Sequence, residues 1–146
     1  MKCNFDENDL IWSFHKLKNL VYKKLQKGLQ KYGITITQWT IMNYIYKNQG
    51  VNQKKISDML KKDRGEISRN LNKLENLEII EKKISYHDKR EYLIYLTNEG
   101  EKVLLKTCCL VKKLNNDLEK NFKKEEIKNY QEFINKIIIN VKNTEK

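Results

Sequence analysis

One short stretch interrupts a chain whose apolar residues otherwise follow the spacing of helices. Residues 79–85 and 91–96 are rich in Ile, Tyr and Leu, which favours two β-strands joined by a polar and basic loop. On both sides of this stretch, apolar residues recur every three or four positions, and the chain has no proline. The sequence therefore predicts a mainly α fold with one small β-hairpin.

The same spacing predicts six helices, and polar residues mark where several of them begin. The predicted helices cover residues 8–32, 36–48, 53–61, 64–77, 98–121 and 124–142. Thr35 and Asp63 are each followed three positions later by Gln or Glu, which is the pattern of a capping box, and Asn52 can cap the third helix. The order of elements is two helices, a helix–turn–helix, a β-hairpin or wing, and two long helices.

Length and composition narrow the class of protein. A chain of 146 residues, 39% apolar and 34% charged, is long enough to bury one core. No run approaches the roughly 18 apolar residues of a membrane span. The first ten residues are acidic and polar, unlike a signal peptide, and the three cysteines have no framework spacing. We therefore expect a cytoplasmic protein with no membrane partner.

The basic residues are unevenly divided between lysine and arginine. The net charge is +11, which suits an anionic partner, although the excess is spread along the chain. Only three of the 30 basic residues are arginine, and Arg64, Arg69 and Arg90 fall within 27 consecutive positions. Arginine can donate two parallel hydrogen bonds to a base edge or a phosphate, and it fits a narrow minor groove. The clustering indicates a nucleic-acid site between residues 64 and 90.

The fourth predicted helix has an apolar side and a polar side. Ile67, Leu71 and Leu74 form the apolar side, and the opposite side carries groups that can read base edges in a major groove. This is also the pattern of an ordinary amphipathic surface helix. The candidate contacts on this helix are of two kinds. Those for base edges are Arg69 and Asn72, with Ser68, Asn70 and Lys73 nearby, and those for phosphate, at the N-terminus of the helix, are Arg64 and Gly65.

Three motifs in this order resemble the MarR family of winged-helix transcriptional regulators, over nearly the whole chain. The motifs are Gly33-Ile34-Thr35-Ile36-Thr37-Gln38-Trp39, then Ile67-Ser68-Arg69 followed by Leu71, Leu74 and Glu75, and finally Asp88-Lys89-Arg90 through Leu96-Thr97-Asn98-Glu99-Gly100. Two positions depart from the family pattern. Glu78 replaces a glycine, so that either it adopts a left-handed conformation or the helix ends differently near Asn76. Lys82 replaces a frequent arginine and weakens an expected backbone contact.

The resemblance implies a homodimer on a palindromic operator in double-stranded DNA, most simply a repressor relieved by a small aromatic or anionic effector. Residues 1–34 and 98–146 would form the dimerisation region, and residues 35–97 the winged helix–turn–helix domain. The apolar stripes of the terminal helices fit this, since exposed patches of that size need a partner. The resemblance also implies that Arg90 enters the minor groove and that Asp88 orients Arg90 through a salt bridge. Lys54, Lys55 and Lys89 are the further DNA-binding candidates.

Several alternatives remain open on the sequence. Trp12, Tyr22, Trp39 and Tyr44 could line an effector pocket or simply pack. Cys3, Cys108 and Cys109 could make the protein a redox-sensing regulator. A helical dimer that retains the winged fold to bind a protein is the rival from another class. The two histidines lie far apart in the sequence and there is no C-x-x-C motif, so we expect no metal site and no cofactor. No nucleophile–base or phosphate-loop motif occurs, so we expect no enzymatic activity.

Overall fold

The structure is a computed structural model that describes residues 9–144, and it divides into two compact units. The first unit runs to Val111 and the second begins at Lys112. The elements, in chain order, are α1 (Leu10–Leu29), a 3-10 turn (Gln30–Tyr32), α2 (Ile36–Lys47), β1 (Val51–Asn52), α3 (Gln53–Leu60), α4 (Arg64–Asn76), β2 (Ile80–Ile84), β3 (Tyr92–Leu96), α5 (Asn98–Glu119) and α6 (Lys124–Thr144). The predicted fold class is confirmed over these residues. The division at residues 34/35 and 97/98 stays a prediction.

Local hydrogen bonds explain where the helices begin. Thr35 accepts from the backbone N–H of Gln38, whose side chain accepts in turn from Thr35, so the predicted capping box is complete. Asn52 caps α3 by accepting from Lys55 at 2.9 Å. At the start of α4 only half of the predicted box forms. Asp63 accepts from the Glu66 N–H at 3.0 Å, but the Glu66 carboxylate pairs with Lys62, one turn earlier on the same side of the chain.

Helix α4 ends in a left-handed residue that is not glycine. Glu78 has φ +57°, which decides between the two conformations left open by the sequence. Its N–H donates to the carbonyl of Glu75, and the N–H of Ile79 donates to the carbonyl of Leu74, both at 2.9 Å. This pair of bonds is the Schellman motif, and it holds Glu78 in a conformation that usually favours glycine. The chain therefore turns from α4 into β2 without a glycine at position 78.

The hairpin is part of a three-stranded antiparallel sheet. The strand order is β1-β3-β2, and Lys82 of β2 lies opposite Ile94 of β3. The sequence did not predict β1, because a strand of two residues shows no alternation. Val51 of β1 pairs with Ile94, so the short strand ties the start of α3 to the back of the hairpin.

The core of the first unit lies where α2, α3 and α4 meet the sheet. The predicted apolar side of α4, formed by Ile67, Leu71 and Leu74, is fully buried there. Other fully buried members from the neighbouring elements are Leu29, Ile34, Ile41, Met42, Ile45, Ile56 and Ile94. Because its apolar side is buried, α4 must present its opposite side outward.

The second unit contains the end of α5 and the whole of α6. None of the described residues of α6 is buried, although the helix carries a continuous apolar stripe. The exposed apolar residues of this unit are Leu118, Phe122, Tyr130, Phe133, Ile138, Ile139 and Val141. Within the described residues, no helix is both long and apolar enough to cross a membrane.

Candidate nucleic-acid interface

The outward face of α4 consists of Gly65, Arg69, Asn72, Lys73 and Asn76. All five are exposed, and they lie opposite the buried side of the helix. Arg69 is near the middle of this face, where its guanidinium can extend away from the domain. A fully buried back fixes the direction in which this face points. The arrangement therefore presents a rigid row of hydrogen-bonding groups on one helix.

Ser68 and Asn70 flank this face and are half-buried. The amide nitrogen of Asn70 donates to the carbonyl of Glu66 at 2.9 Å, so it bonds to its own helix. The reason is its position, which is closer to the buried side than to Arg69 on the helical wheel. The sequence named Asn70 as a candidate contact near Arg69, and in the structure its amide bonds to its own helix beside the outward face.

The N-terminus of α4 lies beside the start of α3. Arg64 and Gly65 are exposed in the first turn of α4, and the side chain of Gln53 donates to the carbonyl of Arg64 at 2.9 Å. Lys54 and Lys55 are exposed in the first turn of α3. The hydrogen bond from Gln53 links two helix starts whose free N–H groups and lysines suit phosphate oxygens.

The wing loop is shaped by Asp88, but not in the predicted way. The carboxylate of Asp88 accepts from the backbone N–H of Arg90 at 2.8 Å. No ion pair between the Asp88 and Arg90 side chains occurs in the part of the chain that the structure describes. The structure therefore has an Asx-type turn at this carboxylate in place of the predicted salt bridge. Lys89 and Arg90 are exposed at the tip.

Lys82 joins the wing to α4 through a contact that the sequence did not predict. Its ammonium donates to the amide oxygen of Asn72 at 2.9 Å and to the carboxylate of Glu75 at 2.6 Å. The Lys82 side chain is only 21% exposed. Strand alternation was the available signal, since Lys82 lies on the same face of β2 as the buried Ile80.

The next lysine along β2 has a different environment. Lys83 pairs with Glu81 at 2.7 Å and lies 5.1 Å above the ring of Tyr95. The hydrogen bond and the charge of Glu81 raise the pKa of Lys83 above its ordinary value. Lys83 therefore lies on the face of β2 opposite to Lys82.

A cleft of about 650 Å³ lies between α3, α4 and the hairpin. Its lining residues are Asn52, Gln53, Lys54, Glu75, Lys82, Arg90, Glu91, Tyr92 and Ile94. The cleft brings together Lys54 and Arg90, which the sequence predicted for separate contacts. Three cations and two carboxylates line it, so its balance of charge favours an anionic chain.

The aromatic residues proposed for an effector pocket occupy two environments. Trp39 and Tyr44 on α2 are half-buried against the core, whereas Trp12 and Tyr22 on α1 are exposed. The indole Nε1 of Trp39 is buried and has no hydrogen-bond partner among the described residues. The cleft described above is lined by other residues, so the effector pocket stays a prediction.

The cysteines and histidines form no cluster that the structure describes. Cys108 and Cys109 are exposed on α5 and are free thiols, and Cys3 lies outside the described residues. The amide nitrogen of Asn19 donates to Nε2 of His15, one turn away, at 2.9 Å. No group of three or more metal-ligating side chains occurs within residues 9–144.

The chain is similar to known regulators in both sequence and fold. Residues 32–91 match the family model described as MarR family. The HTH-type transcriptional regulator MgrA of Staphylococcus aureus is 31% identical over 77 residues, which are 53% of this chain and 52% of that protein. The chain thus spans about half the length of the curated relatives it matches.

Solved structures extend the likeness in fold to almost the whole chain. The crystal structure of the S. aureus MepR–DNA complex has a TM-score of 0.81 and 22% identity, covering 90% of this chain and 98% of that one. The MarR protein from Peptoclostridium difficile has a TM-score of 0.82 and 22% identity, covering 98% and 94%. At these identities the likeness shows the fold.

Proposed function

We propose that this chain is a regulator of the MarR family of winged-helix transcriptional regulators, which binds double-stranded DNA sequence-specifically as a homodimer on a palindromic operator. The observation that carries this proposal is the outward face of α4. Arg69 lies near the middle of that face, on a helix whose back is fully buried. An exposed helix of this kind fits a major groove, where an arginine can donate two hydrogen bonds to guanine.

The flanking elements supply contacts that position the helix. Lys54 and Arg90 both line the cleft beside α4, and both suit the DNA backbone or the adjacent minor groove. Arg64, Gly65 and Lys55 add cations and free N–H groups at the two helix starts. In the proposed complex these residues bind phosphate, while Arg69 and Asn72 contact base edges.

The dimer is proposed from the apolar surface of the second unit. Helix α6 has no buried residue although its stripe of Ile, Tyr, Phe and Val is continuous. An exposed apolar surface of this extent favours burial against a second copy of the chain. A two-fold axis would place two copies of α4 about 34 Å apart, which suits two half-sites in consecutive major grooves.

We further propose that the protein is a repressor released by a small effector. A dimer that covers two major grooves excludes other proteins from the same DNA. An effector that binds better to a dimer with a different helix spacing shifts the population away from the DNA-bound state. The buried, unpartnered Nε1 of Trp39 supports a ligand with a hydrogen-bond acceptor near α2. Such a regulator acts where the chromosome is, so we propose the cytoplasm.

The decisive experiment is selection of bound fragments from random double-stranded DNA, followed by titration of the enriched site at rising salt. We expect one palindromic sequence, and an affinity that falls by roughly a thousandfold between 50 and 200 mM salt if about six phosphates are contacted. Arg69→Ala should blur the preference at one position of each half-site, and Lys142→Ala, at the far end of α6, should leave the preference unchanged. A protein-binding module would enrich no sequence and would show no steep salt dependence.

A further inference from the structure

The amide of Asn72 has a fixed orientation in the structure. The ammonium of Lys82 lies 2.9 Å from one atom of that amide. Lysine has three donors and no acceptor, so the facing atom must be the oxygen Oδ1. The nitrogen Nδ2 therefore points away from Lys82, and Asn72 is an exposed residue on the outward face of α4.

Glu75 keeps Lys82 in this position. Its carboxylate accepts from the same ammonium at 2.6 Å, and it lies three residues after Asn72 on the same helix. The Lys82 side chain is mostly covered, and the Glu75 side chain is 42% exposed. The ammonium is thus held between two acceptors of α4, and one of its three N–H groups remains available.

The position of Lys82 changes which base edge Asn72 can bind. An asparagine that reads adenine must accept from N6 with its oxygen and donate to N7 with its nitrogen. Here the Lys82 ammonium already donates to one of the two lone pairs of this oxygen, and its positive charge repels a second donor brought to the same atom. Acceptor atoms on a base edge are attracted to this site, because both Nδ2 of Asn72 and the Lys82 ammonium can donate hydrogen bonds to them.

We propose that Asn72 and Lys82 act together as a donor pair that selects guanine at one position of each half-site. Guanine is the base with two adjacent acceptors, N7 and O6, in the major groove. The donor pair matches them with the N–H groups of Asn72 and the remaining N–H of Lys82. This inference rests on the proposed DNA-binding function and names the base that one residue pair recognises.

The experiment begins with the operator selected by the full-length protein. Asn72→Ala identifies the position at which the preference depends on Asn72, and the affinities for all four bases are then measured there. We expect guanine over adenine by about tenfold for the unaltered protein. Inosine should bind like guanine, since it keeps N7 and O6, whereas 7-deazaguanine, which lacks the N7 acceptor, should lose most of the preference.

Lys82→Met tests the role of the wing residue. This change removes the charge but keeps much of the side-chain volume, and we expect the preference for guanine over adenine to fall to about threefold or less. Lys83→Met is the matched control, because it removes the same charge from the other face of β2 and should leave the preference intact. Thermal melting checks that each variant is folded, and Lys82→Gln replaces Lys82→Met if the latter does not fold.

The outcomes separate this inference from the proposed function. If no sequence is enriched from random DNA, both fail. If an operator is found but adenine is preferred at the Asn72 position, or Asn72→Ala changes no single position, only the donor pair is overturned. An equal effect of Lys82→Met and Lys83→Met on all four bases would likewise overturn it.

Discussion

Gly100 lies directly against the backbone carbonyl of Ile79, so that a Cβ at position 100 would come within 2.1 Å of that oxygen. The same carbonyl accepts from the backbone N–H of Thr97 at 3.0 Å, and the hydroxyl of Thr97 accepts from the N–H of Gly100. These contacts join the start of β2 to the first turn of α5. Backbone cannot move aside as a flexible side chain can, so this junction requires glycine.

The first prediction concerns this junction. Gly100→Ala should lower the free energy of unfolding by about 1–3 kcal/mol, because the new methyl group displaces the backbone of Ile79. Urea denaturation followed by circular dichroism measures the change. Lys106→Ala, at an exposed site on the same helix, should stay within about 0.5 kcal/mol of the parent. Equal stability of the parent and Gly100→Ala would contradict the close contact.

The second prediction separates base reading from phosphate binding. Arg69→Ala should cost about 1–3 kcal/mol of binding energy and blur the preference at one position of each half-site. Arg69→Lys should restore little of the lost affinity and preference, because an ammonium cannot replace the two parallel hydrogen bonds of a guanidinium. Lys54→Ala should instead weaken all sequences alike and lower the salt slope by roughly one unit. Anisotropy titrations on the operator and on random DNA distinguish the two, and identical behaviour would show that Arg69 does not read bases.

The third prediction concerns the tip of the wing. Arg90→Ala should weaken binding most on operators with A·T-rich flanks, where the narrow minor groove attracts arginine. Lys89→Ala removes a neighbouring exposed cation and should weaken binding with little dependence on the flanks. Titrations of both variants on A·T-rich and G·C-rich flanks provide the comparison. A flank-independent loss for Arg90→Ala would place this residue on phosphate instead.

The fourth prediction concerns the exposed stripe of α6. The double variant Ile138→Glu, Val141→Glu should shift the protein from dimer to monomer, because it places two charges in an apolar contact. Lys136→Glu changes the charge on the opposite side of α6 and should leave a dimer. Light scattering after size exclusion gives the masses. A dimer that survives the double variant would mean that another surface holds the two copies together.

The fifth prediction addresses oxidation. Cys108 and Cys109 are exposed thiols on α5, outside the outward face of α4. Mild peroxide should therefore leave operator binding largely intact, as measured by titration before and after treatment with the modified thiols counted by mass spectrometry. Loss of binding that Cys3→Ser restores would instead identify a redox-sensing regulator.

Local sequence was sufficient for most of the secondary structure. The apolar periodicity predicted all six helices of the described region and both strands of the hairpin, and Thr35 and Asn52 predicted two helix starts. These features depend on residues within one or two turns of each other, so the chain itself carries the information. The same holds for the outward face of α4, since a buried Ile67, Leu71 and Leu74 leave only one direction for Arg69.

Contacts between distant segments were decided only by the tertiary structure. The strand β1 exists because β3 supplies its hydrogen bonds, and the conformation of Glu78 follows from how α4 turns into β2. The carboxylate of Asp88 had two nearby partners, and the loop geometry selected the backbone of Arg90. Lys82 reaches Asn72 across ten residues because β2 folds back along α4. Such pairings depend on the relative placement of whole elements, which no local pattern of residues records.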